Sequence, residues 1–198
     1  MKKILVLFAH PAFHKSIINK ALIEGIKDLK GVTVRELYEE YPDFFIDIEV
    51  EQDLLLKHDI IVWHHPFYWY SAPALLKEWM DLVLQHGFAY GREGRALEGK
   101  WVMSAVSTGG KSEVYSKTGA NRFTVNEFLA PFDQSATLCR MLYLPPFVTH
   151  GSHTINKEVL DKQVQAYREI ITALRDERFG AEDFREIKNM NELIVTHA

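Results

Sequence analysis

Residues 3–19 read KILVLFAHPAFHKSIIN, and the order of residue types in that stretch sets the fold. The apolar run through Ala9, flanked by lysines, breaks at His10-Pro11 and reads as a buried strand. Between Ser16 and Leu29 the apolar positions Ile18, Leu22, Ile26 and Leu29 recur at helical spacing, and Gly31 supplies the stop. A buried strand thus hands the chain, across a short turn, to an amphipathic helix.

The same alternation continues outward from there. Residues 32–38 (VTVRELY) alternate apolar and polar with β-branched content, a second strand. Glu49 to His58 reads as a short helix, and Asp59 to His65 as a third strand ended by Pro66. Ser71-Ala72-Pro73 offers an N-cap and a first-turn proline to a helix with Leu75, Trp79 and Val83 on one face, stopping at Gly87. Lys100 to Ser107 is a fourth strand, running into Thr108-Gly109-Gly110. A helix is expected from about Val125 to Tyr143, with Pro131 bending it or sitting in its first turn. Pro146 to His150 is a short fifth strand, and Asn156 caps a helix carrying Val159, Leu160, Val164, Tyr167, Ile171 and Leu174. Five strands that read as continuous apolar runs, each followed by a helix, specify an α/β protein. The expectation is a flavodoxin-like, doubly wound parallel sheet in the order 2-1-3-4-5 with helices on both faces. Residues 1–176 form that domain; 177–198 are a polar, weakly helical tail that reads as an arm able to pack on a partner subunit.

Composition narrows the function classes. The chain has 198 residues, 47% hydrophobic and 25% charged, with a formal net charge of −4, which suits one domain and excludes a disordered chain. Eleven glycines and seven prolines exclude a collagen-like sequence. The longest clean apolar run, Ile4 to Ala9, is far short of the roughly 20 residues of a membrane span, and its context is not that of a signal peptide. A single cysteine, Cys139, fits a reducing cytoplasm. Mild acidity argues against a nucleic-acid partner.

In an open α/β sheet, ligands bind beyond the carboxyl ends of the strands. Three turns lie there. After the first strand come His10, Ser16, Ile17, Ile18 and Asn19, a histidine, a hydroxyl and an amide at a helix start that favours phosphate. After the third come Pro66, Phe67, Tyr68, Trp69 and Tyr70, an aromatic loop suited to walling a flat ligand. After the fourth come Ser107, Thr108, Gly109 and Gly110, whose bare backbone can approach a ring and donate to it. A phosphorylated planar heterocycle satisfies all three, and flavin mononucleotide (FMN) is the candidate, with FAD as the alternative. Two patterns are decoys. AVSTGGKS (105–112) fits a P-loop only if its first glycine is relaxed, and the following residues lack the required helix and metal-binding acid. His64-His65 and His150 with His153 lack carboxylate or cysteine neighbours at ligand spacing, so they read as structural or solvent histidines and no metal is expected.

The segments HPAFHKSIIN (10–19), YPDFFIDI (41–48), HHPFYWYSAPALLKEWMD (64–81), HGFAYGREGRALEGK (86–100) and STGG (107–110) resemble the flavin-dependent NAD(P)H:quinone oxidoreductase family. The likeness is to its small bacterial branch. That branch includes general stress protein 14 and the ancillary oxidoreductase subunits of glutathione-gated potassium efflux systems. The resemblance runs from Ile4 to about His153. It implies a homodimer with one flavin per protomer. His10 and Ser16 to Asn19 would hold the phosphate and ribityl chain, Phe67 to Tyr70 flank the ring, and Ser107 to Gly110 bond its pyrimidine edge. Tyr115 matches a tyrosine near the flavin, Asn121 stands where several relatives have a relay histidine, and Tyr90 lines the substrate pocket, from the partner subunit in relatives. The implied reaction is hydride transfer from NAD(P)H to flavin N5 and then to a quinone or similar planar acceptor, by ping-pong kinetics. The N–H groups of Thr108, Gly109 and Gly110 would stabilise the charge that develops, as in an oxyanion hole. Two rivals stand beside this enzyme. One is an ancillary regulatory subunit bound to a membrane potassium-efflux protein, and so peripheral at the inner face of the membrane; the other is a flavodoxin that only carries electrons.

Overall fold

Every position of strand β1 (Ile4–Phe8) is buried, as an uninterrupted apolar run demands. The computed structural model, which describes residues 1–195, sets β1 beside β2 (Val32–Glu36) on one side and β3 (Ile60–Pro66) on the other, all parallel. β4 (Trp101–Ser107) and β5 (Leu142–Thr149) complete a five-stranded sheet in the order β2-β1-β3-β4-β5. The expected flavodoxin-like architecture is therefore present. Alternate residues of each strand point to opposite faces, and two cores result. Leu5, Leu7, Trp63 and Val102 pack with α3 (Ile48–Lys57), α4 (Ala74–Val83) and α6 (Ala130–Leu138). Ile4, Val6, Phe8 and Met103 pack on the other face with α1 (Ile18–Glu24) and α7 (Lys157–Arg175).

Several boundaries differ from the sequence expectation, each for a local reason. β2 stops at Glu36, and Leu37–Glu40 forms a helical turn, α2, that buries Leu37. Ser71 does not cap α4: the cap position is Pro73, and no side chain bonds there. α4 also ends at Val83, before Gly87, because the chain already turns at Gln85, whose N–H donates to the Val83 carbonyl at 2.9 Å. The helix expected over 125–143 is two helices. Thr124 and Glu127 make a reciprocal capping box on α5 (Val125–Phe128), and α6 then starts with Pro131 in its first turn. Arg140 takes a left-handed φ of 59° and stops α6, so Tyr143 lies in β5. β5 begins at Leu142, ahead of the expected Pro146, because an edge strand tolerates prolines that donate no ladder bond. Asn156 caps α7 as expected, accepting from the Val159 N–H at 2.9 Å.

The described part of the tail lies against its own sheet. Met190 is buried and its N–H donates to the Pro146 carbonyl. Asn191, at the start of α8 (Asn191–Val195), accepts from the Val148 N–H at 2.9 Å and donates to the Val148 carbonyl at 3.1 Å. It occupies the open edge of β5 as a single strand residue would. Among the described residues, no helix is long and apolar enough to cross a membrane.

Candidate functional site

Asn19 joins the ends of three strands. Its side-chain amide, 2% exposed, donates to Ser16 Oγ at 3.0 Å and to Ser107 Oγ at 2.9 Å. Its Oδ1 lies 3.2 Å from His64 Nε2 on β3. The turn after β1 is thereby fastened to the ends of β3 and β4. The Phe67 N–H donates to the Ser107 carbonyl at 2.7 Å, which ties in the aromatic loop. His10 lies edge-on to Tyr68 with ring centroids 5.9 Å apart. Tyr70 donates to Asn121 Oδ1 at 3.3 Å, and the Tyr115 ring lies 6.0 Å from that of Phe67. His10, Ser16–Asn19, Pro66–Tyr70, Ser107–Gly110, Tyr115 and Asn121 thus share one rim. Tyr90 does not join them in the same chain: it packs on His86 and lines a surface hollow with Met80, Leu84, Leu138 and Cys139.

The rim carries donors with no protein acceptor among the described residues. Among them are the N–H groups of Ile17, Ile18 and Gly109, with Ser16 Oγ beside the first two. Ile18 contributes its backbone alone, since its side chain is in the core. His10 Nδ1 accepts from the Ala12 N–H at 3.1 Å, which leaves the proton on Nε2. Burial holds the His10 pKa below the usual histidine value. This side chain therefore offers a neutral N–H rather than a positive charge.

Two expectations about the loops need correction. The Thr108 N–H is not an available donor, because it is already given to the Thr149 carbonyl at 2.9 Å. Thr108 supports its loop instead: Oγ1 donates to the Gly110 carbonyl at 2.8 Å and meets His150 Nδ1 at 2.9 Å. Phe67 is 8% exposed, with its ring packed among Tyr70, Tyr115 and Phe128, so little of it is left to flank a ligand. The wall is made by its neighbours. Trp69 and Tyr70 both adopt left-handed backbone, φ 49° and 62°, which is rare for bulky residues. That conformation turns Trp69 outward, 93% exposed.

Tyr115 is a candidate for proton handling. Burial raises its pKa, and the polar groups of Thr108, Gly110 and Asn121 nearby oppose the rise. The residues beyond the glycines form a single 3-10 turn, Ser112–Val114, and not a helix, so the P-loop geometry is absent. Sequence reasoning missed three supporting residues. His64 is fully buried and bonds Tyr167 as well as Asn19. His150 braces Thr108, and His153 Nε2 would lie 3.1 Å from a Cβ placed on Gly109. The one signal in the sequence was the position of His64 and His150 at the carboxyl ends of strands.

Comparison with known proteins agrees with the fold. A family model described as the flavodoxin-like fold matches residues 2–171. The glutathione-regulated potassium-efflux system ancillary protein KefG of Pectobacterium atrosepticum is 46% identical over 171 residues, covering 86% of this chain and 93% of that protein. A crystal structure of general stress protein 14 from Treponema denticola, in complex with FMN, is 38% identical with a TM-score of 0.83. It covers 87% of this chain and 99% of that one. The structure of an NADPH-quinone reductase from P. pentosaceus is 35% identical with a TM-score of 0.78, covering 84% and 96%.

Proposed function

Since the chain belongs to the flavodoxin-like fold family, we propose that it is an FMN-dependent NAD(P)H:quinone oxidoreductase. The observation that carries this reading is the Asn19 junction, which gathers a set of unclaimed donors, an exposed aromatic wall and a bare glycine loop onto one rim. Those three parts fit FMN in order: donors to the phosphate, Trp69 and Tyr70 beside the ring, and Gly109 at its polar edge. The FMN complex of the Treponema relative supports the same assignment. When bound, FMN would supply two-electron chemistry, accepting hydride from NAD(P)H and passing it to a quinone at the same stacking site, in ping-pong fashion.

The remaining work falls to the chain. Ser16, the Ile17 and Ile18 N–H groups and neutral His10 bind the phosphate. Trp69 and Tyr70 exclude water from the ring and orient a planar partner. The Gly109 N–H, with Gly110 beside Tyr115, faces the charge that develops, and Tyr115 with Asn121 holds a proton at the phenolic oxygen. Tyr90 would reach this pocket from a second copy in a homodimer, across the hollow of Met80, Leu84 and Leu138.

Purification, a visible spectrum and chromatography of the released pigment test the proposal. Bound FMN and NAD(P)H oxidation stimulated by menadione are expected. A colourless protein that takes up no flavin overturns it, and bound flavin with negligible turnover indicates an electron carrier. A second reading, an ancillary subunit of a membrane potassium-efflux protein, is favoured by the 46% identity to KefG. It places the protein in the cytoplasm at the inner face of the membrane, and flavin-dependent co-purification with such a transporter would select it.

A further inference from the structure

One buried hydrogen-bond chain behind the rim has a direction that its own atoms dictate. Tyr167, on α7, lies with its hydroxyl 3.1 Å from His64 Nδ1, and His64 Nε2 lies 3.2 Å from Asn19 Oδ1. Asn19 Nδ2 then reaches Ser16 Oγ and Ser107 Oγ, at 3.0 and 2.9 Å. Tyr167 and His64 are fully buried, and Asn19 nearly so. Run from Tyr167 outward, the chain uses every buried hydrogen: the phenol to Nδ1, Nε2–H to Oδ1, and both amide hydrogens to the two serines. Run the other way, the Tyr167 hydroxyl hydrogen and one Asn19 amide hydrogen would be buried without an acceptor, a costly arrangement. The outward direction is therefore the stable one, and burial keeps the imidazole neutral so that Nδ1 stays an acceptor.

The consequence falls on Ser16. Its Oγ accepts from the Asn19 amide and from the Asn19 backbone N–H at 3.2 Å. With both lone pairs taken, its hydroxyl has only a proton left to offer. We infer that His64 and Tyr167 are positioning residues for the anionic end of the site, fixing the Asn19 amide so that Ser16 is an obligatory donor to a ligand phosphate. The inference rests on the flavin reading above and adds a recognition device to it: the chain selects flavin that bears a phosphate. His64 and Tyr167 act through Asn19 and never touch the ligand.

The test compares two probes, FMN and riboflavin, titrated separately against the full chain freed of bound flavin. Wild type is expected to prefer FMN. His64→Leu should cut that preference about tenfold, the worth of one hydrogen bond to a charged group, with riboflavin affinity unchanged. His64→Gln should restore it, because its amide can donate to Asn19 and accept from Tyr167. Ser16→Ala should reproduce the loss, and adding His64→Leu to it should cost nothing further, since one acts through the other. Long-range proton–nitrogen spectra of wild type should show His64 protonated at Nε2 and bare at Nδ1. An unchanged FMN preference in His64→Leu, or the opposite tautomer, overturns this inference alone. Should His64→Leu not fold, the tautomer decides by itself. Wild type that binds neither probe overturns the flavin reading and this inference with it.

Discussion

Glu51 shows how a single residue holds the shoulder of the molecule. Its carboxylate is fully buried yet receives Arg35 Nε at 2.9 Å, the Tyr41 hydroxyl at 2.7 Å and Trp79 Nε1 at 2.8 Å. Burial is the main reason the Tyr41 phenol is pushed up to about 12. These contacts bind α3, β2 and α4 at the foot of the segment 41–48, while Phe45 at its tip stands 83% exposed. Glu51→Ala removes the one acceptor common to three donors, two of them buried, and leaves Arg35 with the more exposed Glu40 and the Tyr41 hydroxyl. Breaking a buried pair from one side typically costs about 3–5 kcal/mol, so a loss of about 3 kcal/mol is expected in a urea titration. A change under about 1 kcal/mol would mean that the network is dispensable.

At the scale of elements, the edge of β5 is the point of interest. An unpaired parallel edge is a template for further strands, and here Asn191 closes it with two bonds to Val148. Asn191→Ala should lower stability by about 1–3 kcal/mol, the cost of leaving buried backbone groups unpaired, and light scattering should detect faster aggregation on warming. Unaltered stability and scattering would show that the tail merely rests on the sheet. Asn191 also marks where the sequence stops being legible. β1, β3 and β4 could be read because a strand buried on both faces is a continuous apolar run. The start of β5 was hidden by Pro145 and Pro146, and its closure by a residue 43 positions away. Likewise the three turns of the site were readable, since strand ends mark them. His64 looked idle because its partners, Asn19 and Tyr167, stand 45 and 103 positions off. Thr108 was misjudged because nothing in STGG reveals that Thr149 takes its N–H.

Across the whole molecule, most of the buried polar groups gather at one end of the sheet. His10, Asn19, His64, His65, Ser107, Thr108 and Thr149 are all buried and all stand at or just past the carboxyl ends of strands. Concentrating them there makes the folded state sensitive to acid. A histidine in the unfolded chain ionises near 6.5, whereas burial pushes His64 down to about 3 and His65 to about 4. Between those values and 6.5 the unfolded chain binds protons that the folded chain refuses. Stability from these groups is thus complete above about pH 6.5 and drains away as pH falls towards 4. At pH 5 each accounts for a loss of about 2 kcal/mol relative to neutral pH. His65 is the one to vary, because it stacks on Phe132 and its Nε2 has no partner among the described residues. Phenylalanine keeps the stack and removes the ionisable group, so His65→Phe should shrink the drop in unfolding free energy between pH 7.5 and pH 5 by about 2 kcal/mol. An acid slope identical to wild type would show that His65 is solvated or paired when it takes up its proton, and that the rim opens before the sheet does.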